Sequence, residues 1–287
     1  MTRRPAVAGV FYEETKQELV ESIEGCFLGN LGPGALPNAN TTRIGRVVGL
    51  VCPHAGYIYS GSAAAYAYME LAQDGLPDTA VILGPNHHGA GAAAAVSTGD
   101  EWITPLGTVK VDTNIAEEIL RRSNFARADN VAHSREHSVE VQLPFLQYIG
   151  GSSVKIVPIA VAYMNKSEAF MLVKDLGSAT ARSLEGKSAV IISSTDFSHY
   201  ESRESARAKD AEAMRHIVNL DPEGLIETVY ERSITMCGVV GTAIMLEACK
   251  AMGATCARQL TYYTSGDVTG DTDQVVGYGA LSVLRSS

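Results

Sequence analysis

The chain has 287 residues and a mass of 30.5 kDa, with 46% hydrophobic and 19% charged residues. That is enough chain for a sizeable core and too much apolar content for a disordered one. The 27 glycines follow no three-residue period, which excludes a collagen-like repeat. The net charge is −9 and no basic run is longer than a pair, so nucleic acid and anionic membrane surfaces are excluded as partners.

No stretch approaches the roughly 18 apolar residues of a membrane span. Arg3-Arg4 would suit a twin-arginine signal, but Pro5–Tyr12 is short and runs straight into Glu13-Glu14. Five cysteines (Cys26, Cys52, Cys237, Cys249, Cys256) include no CxxC pair, so a disulfide framework is not expected and a cytoplasmic location is.

In chain order, apolar spacing near 3.6 predicts helices over 16–27, 62–71, 113–122, 139–148, 168–183, 205–219, 222–231 and 238–252. Val- and Ile-rich runs predict buried strands over 46–52, 79–83, 154–161, 188–193 and 275–283. Asp112 suits an N-cap, and Asp221-Pro222 an N-cap followed by a first-turn proline. Gly29–Thr42, dense in Gly, Pro and Asn, reads as a surface loop and not a domain linker. Strands alternating with helices imply an α/β fold, one domain over 1–287, with a mainly parallel sheet covered on both faces.

The histidines fall where such a fold places ligands. Strand 46–52 runs into Pro53-His54, strand 79–83 into Asn86-His87-His88, and strand 188–193 into Asp196 and His199. Open α/β sheets bind ligands outside the carboxyl ends of their strands. Two neutral imidazoles with a carboxylate or thiolate suit Fe(II), zinc or another transition metal. Neighbouring extended residues diverge, so one of His87 and His88 points inward.

Cys237 precedes a helix start, where the dipole favours a thiolate, and it reads as a metal ligand or a nucleophile. His137 opens a helix as an acid/base or a capping residue. Cys52, Cys249 and Cys256 read as packing residues, His133 and His216 as solvated, and Asp210 with Glu212 as a solvated helix face. Tyr57 and Tyr59 suit substrate stacking or packing. There is no GxxxxGK[ST], and no GxGxxG follows a strand, so nucleotide binding is not indicated.

Arg4-Pro5, Ala8-Gly9 and Phe11-Tyr12, then PHAGYIYSG (53–61), LGPNHHG (83–89), EHSVEVQLPFL (136–146), SSTDFSHY (193–200) and CGVVG (237–241) together resemble the Memo family. The resemblance covers essentially the whole chain. It implies a three-layer α/β/α sandwich similar to the class III extradiol dioxygenases, around a mainly parallel or mixed sheet. It further implies His54, His87 and Cys237 as metal ligands, Asp196 and His199 in the same cleft, and His137 as an acid/base near the substrate.

Iron(II) is the metal the resemblance favours, with copper or zinc as alternatives. The ring-cleaving dioxygenases carry a carboxylate where this chain has Cys237, and a thiolate is a softer ligand that alters redox potential. Radical-SAM and AMMECR-type proteins are partners by family association, and a small molecule or peptide is the expected cleft ligand. Three functions are consistent with these residues: a metal-dependent oxidoreductase of dioxygenase-like type, a zinc-type hydrolase, or a non-catalytic binding module.

Overall fold

The computed structural model describes residues 2–286. Its elements, in chain order, are β1 (Thr2–Arg3), α1 (Lys16–Leu28), β2 (Val47–Cys52), α2 (Tyr57–Asp74), β3 (Thr79–Pro85), β4 (Ala94–Val96), β5 (Glu101–Thr104) and β6 (Gly107–Lys110). Then come α3 (Thr113–Arg122), β7 (Arg127–Ala128), α4 (Gln142–Gly150), β8 (Lys155–Val161), α5 (Lys166–Ser183), β9 (Ala189–Ser194) and β10 (His199–Glu201). The chain finishes with α6 (Arg203–Val218), α7 (Pro222–Glu231), α8 (Val239–Ala251), β11 (Ala254–Thr264), α9 (Gly266–Thr269) and β12 (Val275–Arg285).

The main sheet runs β10-β12-β2-β9-β3-β8-β4-β7, with β11 also paired to β12. Strands β2, β9, β3 and β8 are mutually parallel, whereas β12 joins β2 and β4 joins β8 antiparallel. The sheet is therefore mixed, with a parallel centre. β1, β5 and β6 form a separate three-stranded sheet.

Alternation along the central strands produces the layers. Val48, Val51, Val81, Leu83, Val157 and Ile191 face one core, packed with residues of α3, α5, α6, α7 and α8. Leu50, Cys52, Ala80, Ile82, Ile156 and Val190 face the other, packed with α1, α2 and α4. Each parallel strand is buried on both faces, which is why it reads as a continuous apolar run. The result is an α/β/α sandwich. Among the described residues, no helix is long and apolar enough to cross a membrane.

The predicted helices all form, those over 113–122 and 222–231 with the predicted ends and the others with shifted ones. The second starts at Tyr57, five residues early, with Gly56 as its N-cap. Asp112, Asp221 and Asn165 cap α3, α7 and α5 through their side chains, and Pro222 opens α7. The prediction lacked β11, whose half-exposed ATCARQLTYYT sequence lacks an apolar run; it is held by a long antiparallel pairing with β12.

Candidate metal centre

Adjacent parallel strands end side by side, so whatever follows β2, β9 and β3 must converge. His54 follows β2, Asp196 follows β9 and His87 follows β3. A fourth group arrives from the turn before α4. One ring nitrogen each from His54, His87 and His137 lies within 4.8 Å of the other two. The His87 and His137 rings stack at 4.7 Å between centroids, and His54 meets both edge-on at 5.3 and 5.4 Å. These three residues could hold a metal ion.

The hydrogen bonds fix which nitrogens are available. The Ser194 hydroxyl donates to the Ser138 carbonyl at 2.6 Å and accepts from Gln142 Nε2 at 2.8 Å. Its single proton is spent, so its 3.0 Å contact with His54 Nδ1 requires an N–H on the imidazole. His54 Nε2 is left with its lone pair. His87 Nδ1 lies 3.0 Å from a Glu136 oxygen, and a carboxylate only accepts, so His87 is likewise protonated at Nδ1. Outer-shell partners of this kind orient metal-binding imidazoles and raise their basicity.

Glu136 is the organising residue. It is 1% exposed, and its carboxylate also accepts the backbone N–H groups of His87 (2.6 Å), His137 (2.8 Å) and Ser138 (2.8 Å). Burial would raise its pKa, but the His87 hydrogen bond, the imidazole charges and the Ser138 N–H outweigh it and hold the carboxyl well below the usual range. Burial, followed by the neighbouring imidazoles, pushes His54 well below the ordinary histidine value. His137 is pushed down to about 4, again mainly by burial. Both are neutral at pH 7, the form that binds metals.

Cys237 lies against the same ring nitrogen of His54 that is left with its lone pair, with Sγ 3.4 Å from His54 Nε2 and accepting the Asp196 N–H at 3.3 Å. A Cβ on Gly238 would collide with Thr195 and the Ser194 carbonyl, so glycine is what lets the start of α8 approach the end of β9 this closely. Against the helix dipole, burial first and then Asp196 push the metal-free thiol up to about 12. Asp196 is 4% exposed, is raised above the ordinary carboxylate value by burial, and accepts the His54 N–H at 2.8 Å. It holds the His54 backbone in place.

His199 sits on β10, its Nδ1 donating to the Thr235 carbonyl at 2.8 Å and its Nε2 without a partner among the described residues. His87 faces inward, whereas the exposed His88 is tied to the Arg135 carbonyl. Tyr57 is a packing residue, buried, with its hydroxyl donating to the Val141 carbonyl, while Tyr59 is 40% exposed.

Three further expectations are corrected. His133 is 1% exposed, with Nε2–H donating to the Ala95 carbonyl, because the β1–β5 sheet covers it; His216 is bonded to Asp221 and Thr228 at the α6–α7 junction. Asp210 is fully buried, accepting from Ser198 and Tyr262, where the long β11 places an aromatic over α6. Cys256 is exposed, since it lies on the outer strand β11.

Sequence reasoning missed Glu136 and Glu140. Glu140 is fully buried and accepts from Arg3, the Ala6 and Val7 N–H groups and the Tyr12 hydroxyl, so it pins the N-terminal segment against the site. Phe11 in that segment lies 4.5 Å from the His137 ring. Glu136 beside His137, and Glu140 between Val139 and Val141 ahead of the apolar run, were the available signal.

The fold and site thus define an α/β/α protein with three imidazoles gathered at the strand ends, from buried His54 outward to exposed His87. A family model described as Memo-like protein matches residues 3–282, and the chain belongs to the Memo family. It is 46% identical to a MEMO1 family protein of Methanopyrus kandleri, over 99% of this chain and 100% of that one. A MEMO1 family protein of Ignicoccus hospitalis is 45% identical over 98% of each chain. A third, from Thermotoga petrophila, is 46% identical over 97% of this chain and 98% of that one. The crystal structure of an uncharacterized protein from Escherichia coli K12 shares the fold, with a TM-score of 0.50 and 13% identity over 82% of this chain and 100% of that one.

Proposed function

We propose that this chain is a metal-dependent oxidoreductase of dioxygenase-like type, with Fe(II) held by His54, His87 and His137. The observation that carries the proposal is the convergence of three imidazoles, two of them with Nδ1 protons committed to Ser194 and Glu136. Three protein ligands leave coordination positions open, and iron bound there would supply O₂ and redox chemistry.

The chain's own groups do the rest. Glu136 and Ser194 set the tautomers. The N-terminal segment, held by Glu140, keeps Phe11 against His137. His199, its Nε2 without a partner among the described residues, can take a proton at the cleft edge. Cys237 is the chain's additional soft donor beside His54. Copper fits the sulfur-containing variant of the site, and an all-imidazole set is also that of zinc enzymes that activate water.

The test is to load the protein with Fe(II) without oxygen, then measure O₂ consumption with catechol-like and thiol substrates. His54→Ala and a Zn-loaded sample given activated esters serve as controls. O₂ uptake dependent on iron and on His54 supports the oxidoreductase. Ester hydrolysis with zinc and no O₂ uptake with iron would replace it by the hydrolase.

A further inference from the structure

Beside the metal centre, and sharing Cys237 with it, is a cavity of about 380 Å³. It is walled by the ends of β3 and β8, the end of α7 and the α7–α8 connection. The volume lies within the roughly 300–1,000 Å³ of small-molecule sites. Val161, Ile234 and Val240 line it, and no Asp, Glu, Lys, Arg or His does among the described residues. That is unusual next to a centre with three histidines and two buried carboxylates.

The polar groups nearby are mostly spent. The Tyr230 hydroxyl donates to the Met164 carbonyl at 2.7 Å. Thr235 binds His199 through both its hydroxyl and its carbonyl. Tyr163 is 89% exposed, and its ring lies parallel to that of Tyr230, 14° apart with centroids at 6.3 Å. A flat, exposed aromatic face at the rim of an apolar cavity is an offset-stacking platform. The turn that closes the cavity includes Ser233 at φ +51°, a left-handed conformation that costs a non-glycine residue energy and clusters at ligand sites.

We propose that this cavity binds an uncharged aromatic small molecule, stacked against Tyr163 and placed beside Cys237. The inference deepens the metal-centre reading, on which it rests for any chemistry, while the binding itself does not require the metal. An ionised carboxylate or phosphate would lose its hydration there and gain no cationic partner.

The probes are 2-naphthol and its charged counterpart 2-naphthoate, titrated calorimetrically into the full chain with and without bound metal. The naphthol should bind one per chain, with naphthoate at least about tenfold weaker. Ala162→Phe, which fills the cavity, should weaken naphthol at least about tenfold, and Tyr163→Ala, at a solvent-exposed side chain, about threefold to tenfold. Both variants should keep the metal stoichiometry of the parent. His54→Ala should lose metal and keep naphthol.

Equal affinity for the two probes would overturn the proposal, as would naphthol binding unchanged in both cavity variants. If Ala162→Phe does not fold, Tyr163→Ala decides alone. Naphthol binding retained in a protein that takes up no metal would sink the metal-centre reading and leave this one standing.

Discussion

Glu136→Gln removes one charge and almost no volume, yet it should weaken both the fold and the metal site. The carboxylate meets the His87 N–H at one oxygen and the His137 and Ser138 N–H groups at the other. A glutamine offers one oxygen and one NH₂, so in either orientation at least one buried donor faces another. A buried donor left unmet costs about 1–3 kcal/mol, and charge-assisted bonds that become neutral lose about half their strength. The expected loss is about 2–4 kcal/mol in urea unfolding of the metal-free protein.

The variant also replaces the carboxylate that accepts from His87 Nδ1 with a neutral and weaker acceptor or with an opposing NH₂, and second-shell changes of this kind typically lower metal affinity about 10–100-fold. Co(II) titration, read by its visible absorption, measures that loss. The folded pKa of Glu136 is depressed. Its stabilisation is therefore present above the unfolded carboxylate value of about 4.3 and fades as the pH falls below it. Acidification below that point should cost the parent more than the variant. A variant with parental unfolding free energy and parental Co(II) affinity would refute the reasoning.

Other groups give independent tests. Burial pushes His133 down to about 4, so the unfolded chain protonates it first and acid favours unfolding. Parental stability should fall by about 3 kcal/mol between pH 6.5 and 4, more than in His133→Gln, and an equal fall in both would contradict this. Glu140→Gln should loosen residues 2–12, seen as faster hydrogen exchange and easier proteolysis of that segment; unchanged protection would show that Glu140 does not hold it. Exposed Cys256 should react with iodoacetamide at pH 8 at least about a hundredfold faster than half-buried Cys237, whose thiol is raised to about 12, and comparable rates would count against a protonated Cys237.

The layered fold was legible because its central strands are buried on both faces and its helices carry capped, periodic patterns. The strand-end rule then placed His54, His87 and Asp196 at the same edge of the sheet. What the sequence could not order was the fourth approach. His137 reaches the centre from a turn before α4, and its position depends on Glu136 gathering three backbone N–H groups, a contact between residues without periodic signal.

Asp210 and His133 were misjudged for a related reason. Their burial is decided by β11 and by the small β1–β5–β6 sheet, and neither has the continuous apolar run that announces a strand. Cys237 was located correctly at a helix start, but a dipole acts weakly against burial beside a buried carboxylate.

The most direct test of the three-imidazole centre is the metal content of tag-free protein purified without oxygen, compared across His54→Ala, His87→Ala, His137→Ala and Cys237→Ala. The account predicts about one transition-metal ion per parental chain, lost in each histidine variant and retained, with altered spectra, in the cysteine variant. Full retention in His137→Ala together with loss in Cys237→Ala would contradict it and make the thiol the third ligand. No uptake by the parent of Fe(II), Cu(I) or Zn would contradict the metal centre altogether.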